Sequence, residues 1–319
     1  MDYKKYFTRK NVINWGIPIV IIIFAFFIPV FSTNFATRLI YFLPYMILAV
    51  AYTMFSGTTG YVSLASAAFY GLGIYAAALF GEKMPFIFVI LIGSGASFIL
   101  AFLVGAITLR LRGIYFSMFT FGLLLMMEQV IYWYELNIAN TRGYFVVIQS
   151  NNTIYLYLVG IFVVTIFVAY MLKKSKFGLA LSSIGENEDA SEHIGVNVTM
   201  VKVLTYAVSA IFMGAAGAVM ATKLTYIDPV IAFDPMNSFA PALMATFGGV
   251  GNIWGPVLGA VVFYYIQQEL QTGSLRNYYK IIFGAVLVAA IMYLPSGIMG
   301  LIQKIQKRIS GAKRAPITR

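Results

Sequence analysis

Apolar runs long enough to cross a lipid bilayer recur from one end of this sequence to the other. A membrane-spanning helix needs about 20 predominantly apolar residues. Runs of that kind fall roughly at 13–31, 39–55, 85–107, 114–134, 153–172, 201–222 and 278–295. Two more segments, 61–80 and 256–271, are apolar but rich in small residues, and 236–250 is short and interrupted by Pro241 and a Gly pair. Composition closes off the soluble alternative. Of the 319 residues, 61% are hydrophobic and only 10% are charged, whereas a soluble domain carries about 25% charged residues. The expected fold class is all-α integral membrane, with about ten transmembrane or re-entrant helices if 236–250 is counted.

Charge placement orients these elements. The net charge of +11 comes from short basic clusters between apolar runs. That pattern signals membrane topology and argues against a nucleic-acid-binding face. With the N-terminus inside and ten elements, sixteen of the 22 Lys and Arg residues fall on the cytoplasmic side. Both termini are therefore expected in the cytoplasm by the positive-inside rule. The first apolar run follows Lys4, Lys5, Arg9 and Lys10. It exceeds the roughly 7–15 residues of a signal-peptide core, and more apolar runs follow, so it reads as an uncleaved span. The organisation expected is a cytoplasmic tail at 1–12, a transmembrane domain at 13–299 with a cytoplasmic loop at 173–200, and a basic cytoplasmic tail at 300–319.

Enzyme chemistry finds little support. There are no cysteines, which excludes disulfides, thiolate metal sites and Cys nucleophiles. His193 is the single histidine and lies in a polar loop. No nucleophile elbow and no P-loop occurs, so ATP, if it is used, has to be bound by another chain. A stand-alone secondary transporter would need ion-coupling carboxylates within the membrane, and Glu128 is nearly the only candidate.

Three interruptions of the apolar pattern carry the functional information. The first is Phe55–Tyr75, where Ser56, Gly57, Thr58, Thr59 and Gly60 break the run and Ser63, Ser66, Ala67, Gly71 and Gly73 give a small-residue surface. Non-helical backbone at membrane depth is tolerated where it is buried in protein or lines a cavity. Close helix packing and a broken helix beside a solute path both remain open here. The second is the Gly-rich stretch at 248–260, placed comparably in the other half of the chain. The third is the polar loop from Lys173 to Thr199. Ser182 or Ser183 could cap a short helix there, with Glu186 as a capping-box partner. Ala190 and Ile194 lie on one face of it, and Gly195 ends it in the way a C′ glycine does. Elsewhere, Glu128 either faces the bundle interior, with Arg142 as a possible partner, or snorkels toward an interface. Asp228 and Asp234 belong to an outer connection, where they cap the chain or receive basic groups of a docking partner.

At these residues the chain resembles the permease subunits of bacterial ABC importers for branched-chain amino acids, the LivM type with its LivH and urea-permease relatives. The matching stretches are 55–79, 109–122 with Glu128, 175–221 and 247–262. Thr141-Arg142-Gly143 departs from the Thr-Gly-Gly usual in that family. The resemblance implies a multi-pass protein of a bacterial-type inner membrane that moves a small amino acid. It also implies a second, homologous permease subunit, two ATPase subunits holding ATP and Mg²⁺, and an extracytoplasmic solute-binding protein. This chain itself would hold no cofactor or metal. By the same resemblance, 185–195 is the helix that couples the permease to the ATPase, with Glu186, Asn187, Ala190 and Gly195 matching its pattern. Ser56, Gly57, Gly60, Ser63, Ser66, Glu128, Gly248 and Gly249 are the candidates for the translocation path. Urea and short amides are the other solutes that the resemblance admits.

Overall fold

The computed structural model describes residues 33–272 and, beyond them, 278, 281, 282, 284, 285 and 297. The expected spans 13–31 and 278–295 and both tails lie outside the continuous stretch. The helices are α1 (Thr33–Thr59), α2 (Ser66–Phe80), α3 (Phe86–Thr108), α4 (Ile114–Tyr134), α5 (Asn151–Lys174), α6 (Lys176–Glu186), α7 (Glu188–His193), α8 (Val198–Ala221), α9 (Pro229–Ala232), α10 (Met236–Gly248) and α11 (Trp254–Thr272). A π-helical turn, Glu135–Ala139, extends α4. Among the described residues, the strand content is a two-residue antiparallel pair, β1 (Tyr144–Phe145) on β2 (Tyr226–Ile227).

Among the described residues, five helical stretches are long and apolar enough to span a membrane: Leu39–Thr59, Phe86–Thr108, Ile114–Ala139, Asn151–Lys174 and Val198–Ala221. Burial sorts them. The apolar windows of α1 and α8 are 72% and 78% buried, against 33%, 22% and 28% for α3, α4 and α5. So α1 and α8 form the centre, and the other three present most of their side chains outward. Outward apolar surface of this extent is what lipid solvates and water does not.

Glycines set how closely the central helices approach. A methyl group on Gly73 would run into the Gly214 carbonyl, and one on Gly217 into the Tyr70 carbonyl. Gly93 sits on the Cα of Gly73. Helices α2, α3 and α8 thus meet backbone to backbone, the packing that small residues permit in membranes. Ser63 bonds Tyr206 and Gly73 abuts Gly214, so α2 and α8 run the same way. The Ser97 hydroxyl on the Phe69 carbonyl, together with the Gly93–Gly73 contact, makes α3 antiparallel to both.

The first break differs from the sequence expectation. Ser56 to Thr59 do not interrupt α1, which stays helical through Thr59. The hydroxyls of Thr58 and Thr59 fold back onto carbonyls of Met54 and Phe55, three or four residues earlier, and so remain compatible with the helix. The helix stops at Gly60, whose φ of 74° suits a residue without a Cβ. Tyr61–Ala65 is then non-helical, and α2 is only 15 residues long, so 61–80 is a half-helix preceded by unwound chain. The segment 236–250 is likewise a 13-residue helix with Pro241 inside it, too short to span alone.

Candidate functional site

The polar loop folds into two helices joined at Asn187 and docks on one end of the bundle. Sequence reasoning placed the caps wrongly. Ser175, whose hydroxyl accepts the Gly178 amide, starts α6, and Ser182 and Ser183 lie inside it. Asn187 starts α7, its Oδ1 accepting the Ala190 amide at 3.0 Å. Ser175 wins because it directly follows the last turn of α5, where an extended residue is needed between two helices. Gly195 does terminate the loop helix as expected, with φ at 90° just past the Ile194 C-cap. The inward residue of α7 is Ser191, and Ile194 is 75% exposed, so Ala190 and Ile194 do not form a buried face. Helix α7 ends at His193, one residue too early for that pair.

A buried ion pair fastens α7 to the bundle. Lys202, in the first turns of α8, is 1% exposed and donates to Glu188 Oε1 at 2.6 Å and to the Leu109 carbonyl at 2.9 Å. Tyr61 donates to the other Glu188 oxygen at 2.6 Å, and its ring lies 4.7 Å from Lys202 Nζ. Burial opposes the charge on Glu188. The hydrogen bonds from Lys202 and Tyr61, and the charges of Lys202 and Arg112, outweigh it and hold the carboxyl below its ordinary value. Beside this, exposed Asp189 takes a 2.7 Å contact from Arg112. The α3–α4 connection, the non-helical segment after α1, α7 and the start of α8 therefore converge on one carboxylate.

The backbone of that non-helical segment, and the first turn of α2 after it, are satisfied by side chains from elsewhere. Ser117 of α4 donates to the Val62 carbonyl at 2.7 Å, and Thr120 Oγ1 accepts the Leu64 amide at 3.0 Å. Ser238 of α10 accepts the Ala67 amide at 2.9 Å. Unwound chain in a membrane bundle needs such partners. Phe55, Phe116 and Tyr206 wall it in, with the Phe55 and Tyr206 centroids 5.0 Å apart.

Next to the docked loop lies a cavity of about 360 Å³ between the ends of α1 and α5, the body of α6 and the turn 250–253. Gly57, Glu186, Lys173 and Gly251 are among its walls, and Lys173 Nζ donates to the Gly251 carbonyl at 2.7 Å. A Cβ on Gly57 would stand 3.4 Å from that of Val250, so the two Gly-rich interruptions meet here.

The residue profile of one family, described as "Branched-chain amino acid transport system / permease component", matches residues 34–291. The chain belongs to this family. Among its relatives, the high-affinity branched-chain amino acid transport system permease protein LivM of Salmonella typhimurium is 25% identical, covering 84% of this chain and 70% of the relative. The corresponding LivH protein of Escherichia coli O157:H7 is 29% identical over 43% of this chain and 42% of its own. The ribose import permease protein RbsC of Haemophilus influenzae is 26% identical over 37% and 38%. No solved structure matches. As a permease component, the chain is a multi-pass membrane protein and part of a transporter.

Within this permease fold the candidate path residues separate into groups. Ser56, Ser63 and Ser66 are buried; Ser63 is held by Tyr206 at 3.0 Å, and the Ser66 hydroxyl has no hydrogen-bond partner. Gly57 faces the cavity and Gly60 is exposed at the same end. Gly248 and Gly249 close α10, where a Cβ on Gly248 would strike the Gly255 carbonyl of α11. Glu128 stands apart on α4, half-buried, with Asp228 and Asp234 as the charges acting on it. It forms no ion pair with Arg142 among the described residues. Asp228 and Asp234 are caps, accepting the Ile231 and Met236 amides. Sequence reasoning missed Tyr61 and Lys202 as partners of Glu188. A lysine four residues into a spanning helix was the available signal, because such a charge has to find a partner. It also missed Glu135, which is 2% exposed and takes hydrogen bonds from the Tyr75 hydroxyl at 2.8 Å and the Gly143 amide at 3.1 Å.

Proposed function

We propose that this chain is the membrane subunit of an ABC importer that moves a branched-chain amino acid across a bacterial-type inner membrane. The observation that carries this is the α6–α7 element. It is a charged, helical, surface loop anchored rigidly to the bundle core through Glu188 and Lys202. A motor bound on it can transmit force to α8 and to the α1–α2 break. With the loop end in the cytoplasm, partner ATPases binding ATP and Mg²⁺ dock on α6–α7. A second permease completes the pathway, and a binding protein delivers solute at the opposite end. Coupling then consists of tilting the bundle between outward and inward states. The likeness to a LivM protein over 84% of this chain favours the branched-chain solute. The shorter likeness to a ribose permease makes sugar the rival to test.

Uptake of labelled leucine, isoleucine, valine, urea and ribose, in cells with and without the gene, tests the assignment. Loss of uptake confined to the three amino acids is expected. Unchanged amino-acid uptake with loss of urea or ribose uptake would overturn the solute, and co-purification without any ATPase would overturn the importer class.

A further inference from the structure

A second cavity, of about 220 Å³, lies toward the end of the bundle opposite the docked loop. It is bounded by α1, α2, α8, α10 and α11. Its volume is worth on the order of seven waters, comparable to a small amino acid. The walls are of two kinds. Pro44, Leu48 and Met220 are apolar, whereas Tyr45, Tyr70, Asn237, Tyr264 and Gln267 bring hydroxyls and amides. No Asp, Glu, Lys or Arg lines it among the described residues.

One of those groups is unspent. Gln267 is 8% exposed, and its Oε1 has no hydrogen-bond partner. A buried amide oxygen left unpaired is destabilising, and in a protein surrounded by lipid there is little water to relieve it. Such a group is retained where something binds. Tyr45 and Tyr264 line the same cavity with their rings 5.8 Å apart, and Phe42 packs on Tyr264 at 4.1 Å, so the aromatic wall is held in place by ring contacts. The nearby Lys223 is not among the lining residues, and its ammonium is spent on Asn151 Oδ1 at 2.6 Å.

We infer that this cavity is a binding station for a small zwitterionic aliphatic amino acid within the permease itself. The Gln267 oxygen takes the ammonium, tyrosine hydroxyls and amide N–H groups take the carboxylate, and Pro44, Leu48 and Met220 take the side chain. A site without formal charge matches a solute without net charge. Lysine or glutamate would leave a full charge unpaired there and are excluded. The inference rests on the amino-acid importer reading and adds a solute contact to it.

The test measures equilibrium binding of labelled leucine to the purified full chain, alongside leucine uptake in cells. Saturable binding is expected, displaced by valine and not by lysine or glutamate. Gln267→Leu is expected to weaken it about tenfold or more, and Gln267→Asn to recover part of the loss. Thermal melting checks that the variants fold, and Tyr264→Phe provides a milder second variant. Absence of saturable leucine binding, or binding unchanged in both Gln267→Leu and Tyr264→Phe, overturns the pocket. In either case, gene-dependent leucine uptake leaves the importer reading standing. Leucine binding that is lost in Gln267→Leu supports the pocket whatever the uptake result.

Discussion

Glu188 shows how much one side chain can hold. Replacing it with alanine strands Lys202, which is 1% exposed, and breaking a buried pair from one side costs about 3–5 kcal/mol. Glu188→Ala is therefore expected to lower the melting temperature sharply, and Glu188→Ala with Lys202→Met to regain much of the loss. Melting in detergent measures both. The pH dependence has a definite sign. The folded carboxyl titrates below the ordinary 4.5, so its contribution is full above about pH 4.5 and is lost as pH falls through the folded value. A melting profile against pH should thus show a Glu188-dependent decline only on the acid side. At the other end, Tyr75→Phe removes a donor from buried Glu135 and is expected to cost about 1–3 kcal/mol. A fluorescence melt showing no change would mean that the carboxyl finds another partner.

At the scale of elements, helix positions among the described residues were legible where a run was long and uniformly apolar. The expectation of 114–134 matches Ile114–Tyr134, and 85–107 matches Phe86–Thr108 within a residue. Hydropathy reports the solvent of an element, and there the solvent decided the structure. It failed at Ser56–Thr59, because composition does not show that a hydroxyl will bond its own helix. It failed again at 61–65, because the partners that let the chain unwind, Ser117 and Thr120, come from a helix distant in sequence. The α6–α7 caps were misassigned for a related reason: four hydroxyl or amide residues compete locally, and the end of α5 selects among them. Helix packing yields its own test. Gly73→Val would drive two methyls into the Gly214 backbone, which cannot move aside as a flexible side chain would. Loss of folded protein from the membrane fraction is expected, whereas Gly95→Ala, with open space around it, should be neutral.

For the whole molecule, the arrangement concentrates its connections at one end. The loop helices, the α3–α4 turn, the break after α1 and the turn after α10 all meet around Glu188 and the neighbouring cavity. If that end is where a motor docks, altering the loop's shape while leaving its anchor intact should separate ATP use from transport. Gly195→Val combined with Glu186→Ala is expected to leave ATPase activity of the assembled complex within about twofold and to cut solute uptake about tenfold or more. Measuring both in proteoliposomes decides it, and normal uptake would remove α6–α7 from the coupling role. The sequence showed the helical loop at this end but not its anchor, because the anchor joins residues 61, 109, 188 and 202, which no local pattern relates.

The junction between the unwound stretch and α2 also provides two native gauges. The Leu64 amide hangs on a hydroxyl of α4 and the Ala67 amide on one of α10, three residues apart on the same strand of chain. Neither bond belongs to a helix ladder, so each proton is released to solvent only when its own neighbouring helix lifts. Hydrogen exchange at these two positions would register the loosening of α4 and of α10 separately, in the unmodified protein, without a label on either helix.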